Sequence, residues 1–261
     1  MMRRVVRNAV CVLSVISVAA CGGRRVVPAG PAATPEAPAI TDGRSLVSAM
    51  RRKYDGQWYR TLSFTQNNTL YSARGGTTAS QWRQHIAVPG RLRIDYLPVS
   101  QRGGVLFDGS QVHTFDNGRA IDTRPGVNPL LLLLADVYAQ PVDRSVQLLD
   151  SIGFDLSKLR RDTWEGQPVY VVGANASDST TSQFWVDSDR LVALRIVQKE
   201  RRGTREIVTD VRYGKFTDFG GLPIATETTQ YRDGRLVFKE QYVDVRINDP
   251  IPDAMFDAKK W

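Results

Sequence analysis

The chain has 261 residues, of which 24% are charged and 42% hydrophobic, and its formal net charge is +8 at pH 7. The basic residues are dispersed, and no run of Lys or Arg alternates with aromatic residues, which argues against a nucleic-acid-binding protein. Of the two cysteines, Cys11 lies in an apolar N-terminal stretch that we expect to be removed. The mature chain would then lack a thiol pair for a disulfide, so hydrophobic burial must stabilise the fold.

The N-terminus has the three parts of an export signal. Three arginines within the first seven residues precede an apolar run at 9–20, which ends in small residues before Cys21. This run is shorter than the roughly 20 apolar residues of a membrane-spanning helix. A cysteine at this place resembles a lipobox, which predicts a signal peptide at 1–20 and lipid attachment to Cys21; an ordinary secretory signal is the alternative. Gly22 replaces the aspartate that favours retention of lipoproteins at the inner membrane, which predicts an outer-membrane destination.

A change in composition separates a tether from the folded part. Residues 21–40 are rich in Pro, Ala and Gly without periodicity, which is typical of a flexible tether that begins here at the lipidated cysteine. Residues 41–261 show no internal repeat and predict one folded domain. We expect its first helix to follow Thr41 or Asp42, because either side chain can cap a helix.

After Gly56 the chain consists of short alternating segments separated by turn residues. The segment RLRIDY at 91–96 alternates between apolar and charged residues, which is the period of a half-buried antiparallel strand. Asp-Gly pairs at 108–109 and 233–234 each separate two strand-like segments, a signature of hairpins. We count about ten or eleven strands and predict one curved, meandering antiparallel sheet.

Two helices interrupt this pattern in the middle of the chain. Asn128-Pro129 is followed by LLLLLADVYAQ and then by VDRSVQLLDSIGF. The five leucines at 130–134 cover every side of a helical turn, so this helix must be buried or contact another apolar surface. The predicted fold class is therefore mainly β, or α+β, with an incomplete barrel covered by a few helices.

Several segments resemble those of a known family. The resemblance lies in their order and spacing along the chain, not in any single segment. They are Phe64-Thr65-Gln66, PGRLRI at 89–94, GVLFDGSQV at 104–112, the leucine run, QFWVD at 183–187 and LVALR at 191–195. Together they resemble the LolA/LolB lipoprotein-localisation family, over most of residues 44–257. The resemblance implies helices that lie over the open face of an incomplete β-barrel, with an apolar cavity between them for the acyl chains of lipids or lipoproteins.

Apolar contact would supply most of the affinity of such a cavity. Residues from the early strands and from the leucine run would line it. The candidates are Leu62, Phe64, Leu92, Ile94, Leu131 and Leu132.

The sequence departs from the family pattern in two ways. The soluble carrier of the family has an arginine before the proline of its early strand, proposed to fasten the lid, whereas Val88 stands here. That carrier is also not acylated. The membrane-bound receptor of the family has a protruding apolar loop between early strands, and the corresponding stretch makes Leu97 and Val99 candidates for contact with membrane or cargo. A turn with both side chains tucked inward is the alternative.

Residues suited to catalysis or metal binding are isolated in the sequence. His85 and His113 each occur alone in strand-like segments, without the clustered ligands that zinc requires. Asp187 and Asp189 fit a turn between two strands better than an acid–base pair. No Gly-x-Ser-x-Gly motif or phosphate-binding glycine loop is present. We therefore expect no cofactor, no metal and no enzymatic activity.

These features predict a lipoprotein anchored in the outer membrane and facing the periplasm, which binds lipids or acylated lipoproteins. The expected partners are that cargo, the membrane through the lipid anchor, and a periplasmic carrier protein, but not nucleic acid. A protein-interaction or envelope-stress-sensing module on the same fold is the alternative. An enzyme acting on envelope substrates is a third hypothesis.

Overall fold

The computed structural model describes residues 38–261, which form one compact unit. The expected signal peptide, Cys21 and most of the tether lie outside the described residues. Among the described helices, none is long and apolar enough to cross a membrane. The helices are α1 (Gly43–Lys53), α2 (Pro129–Leu131), a π-helical turn (Leu132–Asp136), α3 (Val137–Ala139) and α4 (Val142–Ser151). The strands are β1 (Thr61–Tyr71), β2 (Thr77–Ala87), β3 (Arg91–Tyr96), β4 (Gly104–Asp108), β5 (Gln111–Asp116), β6 (Arg119–Pro125), β7 (Leu159–Trp164), β8 (Gln167–Val172), β9 (Gln183–Asp187), β10 (Ala193–Arg202), β11 (Arg205–Phe219), β12 (Leu222–Arg232) and β13 (Arg235–Ile247).

All strands belong to one antiparallel sheet with the order β6-β5-β4-β3-β2-β1-β13-β12-β11-β10-β9-β8-β7. Neighbours in this order are neighbours in sequence except at the centre, where β1 pairs with β13. The sheet is open, with β6 and β7 at its edges. The predicted fold class is thereby confirmed.

The number of strands was predicted too low, since the described sheet has 13. Three strands lack the apolar alternation on which the sequence analysis relied. Every residue of β6 is exposed, and β7 has exposed residues at its centre. The first half of β2 is also mostly exposed and polar. These strands are held by backbone pairing with their neighbours, a contribution that side-chain periodicity does not reveal.

The helices pack against one face of the sheet and form the main core with it. Asp42 caps α1 by accepting a hydrogen bond from the backbone N–H of Ser45, whose hydroxyl accepts one from the Asp42 N–H. Asn128 caps α2 by accepting hydrogen bonds from the backbone N–H groups of Leu130 and Leu131, and Pro129 occupies the first helical position. Both helices therefore begin where residues in the sequence favour a helix start.

The C-terminal segment covers the other face of the sheet around β4 and β5. Trp261 stacks on Phe115 with 4.1 Å between ring centroids, and its indole N–H donates to the carbonyl oxygen of Arg102. Gly104 lies beneath this ring. A Cβ atom at that position would overlap the Ile94 carbonyl oxygen and lie 2.8 Å from the Trp261 ring.

We expect Gly104→Ala to lower the free energy of unfolding by about 3 kcal/mol, because backbone or ring must move to admit the methyl group. Its neighbour Gly103 is the matched control, since a Cβ atom there would lie at 3.4 Å or more from every neighbour. Urea denaturation of both variants checks this prediction. Equal stability of the two variants would contradict it.

Candidate functional site: a cavity between the sheet and the leucine helix

A cavity of about 500 Å³ lies between the sheet and the helical segment of residues 129–139. Its walls are mostly apolar. They come from both ends of the chain, because β1 pairs with β13 at the centre of the sheet and brings the first and last strands side by side. The wall on the helical side is made by Asn128, Leu130, Leu131, Leu134, Ala135 and Tyr138. The wall on the sheet side includes Leu62, Phe64, Leu70, Trp82, Ile86, Leu92, Ile94, Tyr213, Phe216, Ile224, Phe238 and Tyr242.

Five of the six residues predicted from the sequence to line a cavity do line it: Leu62, Phe64, Leu92, Ile94 and Leu131. The exception is Leu132. Its side chain is 1% exposed and packs in the core instead of facing the cavity. Residues three or four apart share one side of a helix, so Leu130, Leu131 and Leu134 face the cavity while Leu132 turns away. The participation of these residues in ligand binding stays a prediction.

The cavity opens at the end where β1 finishes. Along the cavity face of β1, Leu62 and Phe64 are 4% and 5% exposed, whereas Leu70 is 40% exposed. Phe238, opposite Leu70 on β13, and Arg232, at the end of β12, lie at the same end. We call this end, defined by Leu70, Phe238 and Arg232, the mouth.

One carboxyl group faces the cavity. The Oε2 atom of Glu240 accepts a hydrogen bond of 2.7 Å from the Tyr242 hydroxyl, which lies 3.0 Å from the Thr228 hydroxyl. Burial raises the pKa of Glu240 to about 7, although the Tyr242 hydrogen bond acts in the opposite direction. Glu240 keeps some accessible surface because it borders the cavity.

Tyr213, on β11, lines the cavity in the same row as Glu240. Thr228 pairs with Tyr213 on one side and with Glu240 on the other, so the three residues run across the sheet. The Tyr213 hydroxyl is buried and has no hydrogen-bond partner among the described residues. Burial raises its pKa well above the usual value, and the charge of Glu240 adds to this effect. An unpaired buried hydroxyl is unfavourable, so this row is a candidate site for hydrogen bonding to a ligand.

The helical segment is held to the sheet next to Val88. The backbone N–H of Gly90 donates a hydrogen bond of 2.9 Å to Oδ1 of Asp136, the last residue of the π-helical turn. Asp136 is 5% exposed, and burial raises the pKa of its carboxyl to about 6, with the Gly90 hydrogen bond opposing this shift. A hydrogen bond from a backbone N–H to a buried carboxyl therefore joins the helical segment to the turn between β2 and β3.

The two candidates for membrane or cargo contact differ in exposure. Val99 is 50% exposed at the start of a short 3-10 helix, Val99–Gln101, whereas Leu97 is partly buried. Neither residue lines the cavity. Their predicted contact with membrane or cargo stays a prediction.

Of the isolated polar residues from the sequence analysis, His113 and Asp187 have local partners, whereas Nδ1 of His85 is buried without a hydrogen-bond partner among the described residues. The ring nitrogens of His113 lie 3.0 Å from Asp108 and 3.1 Å from Thr123. Asp187 accepts from Arg190 and from backbone N–H groups of the turn that follows β9. Within residues 38–261, no group of three or more His, Cys, Asp or Glu residues is arranged to hold a metal ion.

Sequence reasoning did not single out Glu240, Tyr242, Tyr213 or Asp136. The segment RLVFKEQYV contained a usable signal, because strand alternation places Phe238, Glu240 and Tyr242 on one face. A carboxylate between two aromatic residues on the cavity face of a strand is unusual, since charged residues are rarely buried without a partner. The pattern identifies the residue but not the cavity, which requires knowledge of the strand pairing.

The protein therefore belongs to the class of open antiparallel sheets that enclose an apolar cavity beneath helices on one face. Several solved structures have a similar arrangement of sheet and helices. A LolA superfamily protein from Nitrosomonas europaea superposes with a TM-score of 0.53 at 15% identity, over 84% of this chain and 98% of the other. A structure described as an outer membrane lipoprotein-sorting protein domain, from Vibrio parahaemolyticus, gives 0.56 at 10% identity, over 82% and 95%.

A DUF1329 family protein from Desulfovibrio piger is similar as well, with a TM-score of 0.54 at 14% identity, over 82% of this chain and 95% of the other. No protein-family model matches the sequence, and no curated protein does either. The chain therefore has a LolA-like fold, and the resemblance indicated by the sequence is confirmed at the level of the fold.

Proposed function

We propose that this protein is a lipoprotein of the outer membrane that binds the acyl chains of lipids or lipoproteins in its cavity. The observation that carries the proposal is the cavity of about 500 Å³ between the sheet and the helical segment of residues 129–139. Its volume is in the usual range of pockets for small ligands, and its walls are predominantly apolar. The LolA-like fold, which one similar structure shares under the description of a lipoprotein-sorting domain, supports the proposal.

The energetics favour a long apolar ligand. Each methylene group transferred from water to an apolar wall contributes about 0.8 kcal/mol, so a chain of several methylenes would bind without any ion pair. The cavity also opens at one end, where Leu70 is 40% exposed, and this gives a ligand a path of entry. Binding of this kind needs no cofactor and no catalytic residue.

The expected lipid anchor on Cys21 would hold the domain near its cargo. In this proposal the protein faces the periplasm from the outer membrane and receives acylated cargo, with a periplasmic carrier protein as a candidate donor. A protein carrying two or more acyl chains stays attached to a membrane, whereas a single chain binds only reversibly. Incorporation of labelled palmitate that is lost in Cys21→Ser would support the anchor, and unchanged incorporation would exclude it.

Binding is measured best with the Cys21→Ser chain, because no acyl group of its own can then compete for the cavity. We expect saturable binding of bis-ANS that a lipopeptide displaces. Leu134→Asn should weaken binding at least about tenfold, since Leu134 faces the cavity and burial of a leucine contributes about 1.5–3 kcal/mol. Ile121→Asn is the matched control, because Ile121 is 65% exposed on the edge strand β6, away from the cavity.

The outcomes separate the candidate functions. Loss of binding in Leu134→Asn alone, with the circular dichroism spectrum retained, supports acyl-chain binding in the cavity. Equal weakening by both substitutions would place the probe on the surface. Absence of any lipid or lipopeptide binding by a folded protein would contradict the proposal and favour the protein-interaction alternative.

A further inference from the structure

A row of polar residues, Glu240, Thr228 and Tyr213, crosses the apolar cavity. Glu240 uses Oε2 to accept from Tyr242, and no hydrogen bond within residues 38–261 involves its Oε1. The Tyr213 hydroxyl in the same row also lacks a partner. Buried polar groups are nearly always hydrogen-bonded, so the Tyr213 hydroxyl lacks an expected partner. Glu240 has an unused oxygen on a partly exposed side chain that borders the cavity, and the two groups in one row point to a ligand atom.

This row lies at a defined depth. Phe238, at the mouth, and Glu240 are two residues apart on β13, which corresponds to a distance of about 7 Å along the strand. Beyond Glu240, the walls reach Phe64 and Leu62, which are almost fully buried. An acyl chain that enters with its methyl end first would fill the deeper part, and the polar atoms at the other end of the chain would reach the row of Glu240.

We propose that the Glu240 carboxyl and the Tyr213 hydroxyl bind the carbonyl oxygen of an uncharged ester or amide at the head of an acyl ligand. This inference rests on the proposed acyl-chain binding and adds a polar recognition site to it. Both groups act as hydrogen-bond donors to the carbonyl, with Glu240 in its acid form. The Tyr242 hydroxyl holds the Glu240 side chain in place and touches no ligand atom.

The charges around the row favour an uncharged head group. No hydrogen bond or ion pair with an Arg or Lys side chain is found at Glu240 among the described residues, and Arg232 lies out at the mouth. A carboxylate or phosphate head group would therefore meet a carboxyl without a compensating cation. Burial of Glu240 favours its neutral form, which is a hydrogen-bond donor and suits a carbonyl acceptor.

Ligand binding should depend on pH in a direction set by Glu240. With a pKa raised to about 7, Glu240 is mostly the neutral donor at mildly acidic pH and mostly charged at alkaline pH. Tyr213 and Tyr242, which face Glu240, have pKa values well above the usual one and do not titrate in this range. Asp136, on the opposite helical segment, contacts Gly90 and does not line the cavity.

The test measures displacement of bis-ANS from the full Cys21→Ser chain by four ligands with the same chain length. These are dodecane, methyl dodecanoate, dodecanoate and dodecylamine, delivered from cyclodextrin. At about pH 6 we expect the methyl ester to bind about tenfold more tightly than dodecane or dodecanoate. At about pH 8.5 this preference should fall by about tenfold, as Glu240 loses its proton.

Three variants assign the effect to the row. Glu240→Gln keeps a donor and cannot ionise, so it should retain the ester preference at both pH values. Glu240→Met should lose the preference, and Tyr213→Phe should reduce it, while both still bind dodecane. Any change of ligand affinity with pH that remains in Glu240→Gln arises from other groups such as Asp136. It is subtracted from the change measured for the protein with Glu240.

The failures can be told apart. If no ligand binds, the proposed acyl-chain function fails and the inference fails with it. If dodecane binds as tightly as the ester, the function stands and the inference is overturned. A preference for dodecylamine that grows with pH would also overturn it, because Glu240 would then recognise a cation. An ester preference that survives in both Glu240→Met and Tyr213→Phe would likewise overturn it.

Discussion

Replacement of Asp136 by Asn is expected to stabilise the protein at neutral pH by up to about 3 kcal/mol. Asp136 is 5% exposed, and burial raises its carboxyl pKa to about 6 from the usual 3.8. Each unit of difference between folded and unfolded pKa corresponds to 1.36 kcal/mol, which sets this upper bound. The Asn side chain keeps an oxygen that can accept from Gly90 and carries no charge.

The direction in which stability changes with pH follows from the raised pKa of Asp136. Between about pH 4 and pH 6 the folded state holds a proton on Asp136 that the unfolded state has lost, so stability falls as pH rises through this window. The wild-type protein should therefore lose this contribution on going from about pH 4 to pH 7, and Asp136→Asn should not. The two proteins should have similar stability near pH 4, where both carry a neutral side chain.

Urea denaturation at several pH values measures the difference between the two proteins. Asp150→Asn is the control, because Asp150 is exposed on α4 and its substitution removes one charge without affecting a buried site. Asp136→Ala should be less stable than Asp136→Asn, since it leaves the Gly90 N–H without its acceptor. A difference between Asp136→Asn and wild type that stays constant from acidic to neutral pH would contradict the buried-carboxyl explanation.

The sequence allowed prediction of those parts of the fold where one face of an element is buried. RLRIDY forms β3, and the Asp-Gly pair at 108–109 joins β4 to β5. Asp42, one of the two caps that the sequence offered for the first helix, caps α1. In each case a local physical preference agrees with the tertiary structure. The exposed edge strands β6 and β7 have no such preference, because pairing with a neighbour determines their conformation.

The candidate site was only partly predictable for a related reason. Apolar alternation marked Leu62, Phe64, Leu92 and Ile94 as residues that face inward, but it cannot distinguish a filled core from a cavity. Within the leucine run, the side facing the cavity depends on the exact helical phase, which the π-helical turn alters.

The polar groups were harder to predict than the apolar ones. Asp136 and Gly90 are far apart in sequence, and their hydrogen bond depends on how the helical segment lies on the sheet. Glu240 meets Tyr213 only through two successive strand pairings. Local sequence patterns contain no information on such contacts, whereas the family resemblance correctly indicated where helices and sheet would meet.

The second large effect is expected at Asp210, on the face of the sheet opposite the cavity. Its carboxylate accepts two hydrogen bonds, of 2.8 and 3.0 Å, from the Arg195 guanidinium, and it also accepts from Arg212. The Arg195 guanidinium lies over two adjacent indole rings, 4.5 Å from the centroid of Trp164 and 4.3 Å from that of Trp185. This arrangement joins β7, β9, β10 and β11 on one surface.

Asp210→Ala should lower the free energy of unfolding by about 3 kcal/mol or more. Removal of one partner of a buried ion pair leaves the other charge uncompensated, and the Arg195 side chain is only 15% exposed. Glu206→Ala is a matched control, because Glu206 pairs with Lys199 across the same two strands but is 61% exposed. An exposed pair contributes at most about 1 kcal/mol.

A double-mutant cycle with Arg195→Met separates the ion pair from the aromatic packing. Methionine can cover part of the surface of Trp164 and Trp185 without a charge, so Asp210→Ala should cost much less in the Arg195→Met background. The remaining cost reports the hydrogen bonds from Arg212. If Asp210→Ala destabilises both backgrounds equally, Asp210 contributes independently of Arg195, which contradicts the prediction and leaves the hydrogen bonds from Arg212 as the source of its effect.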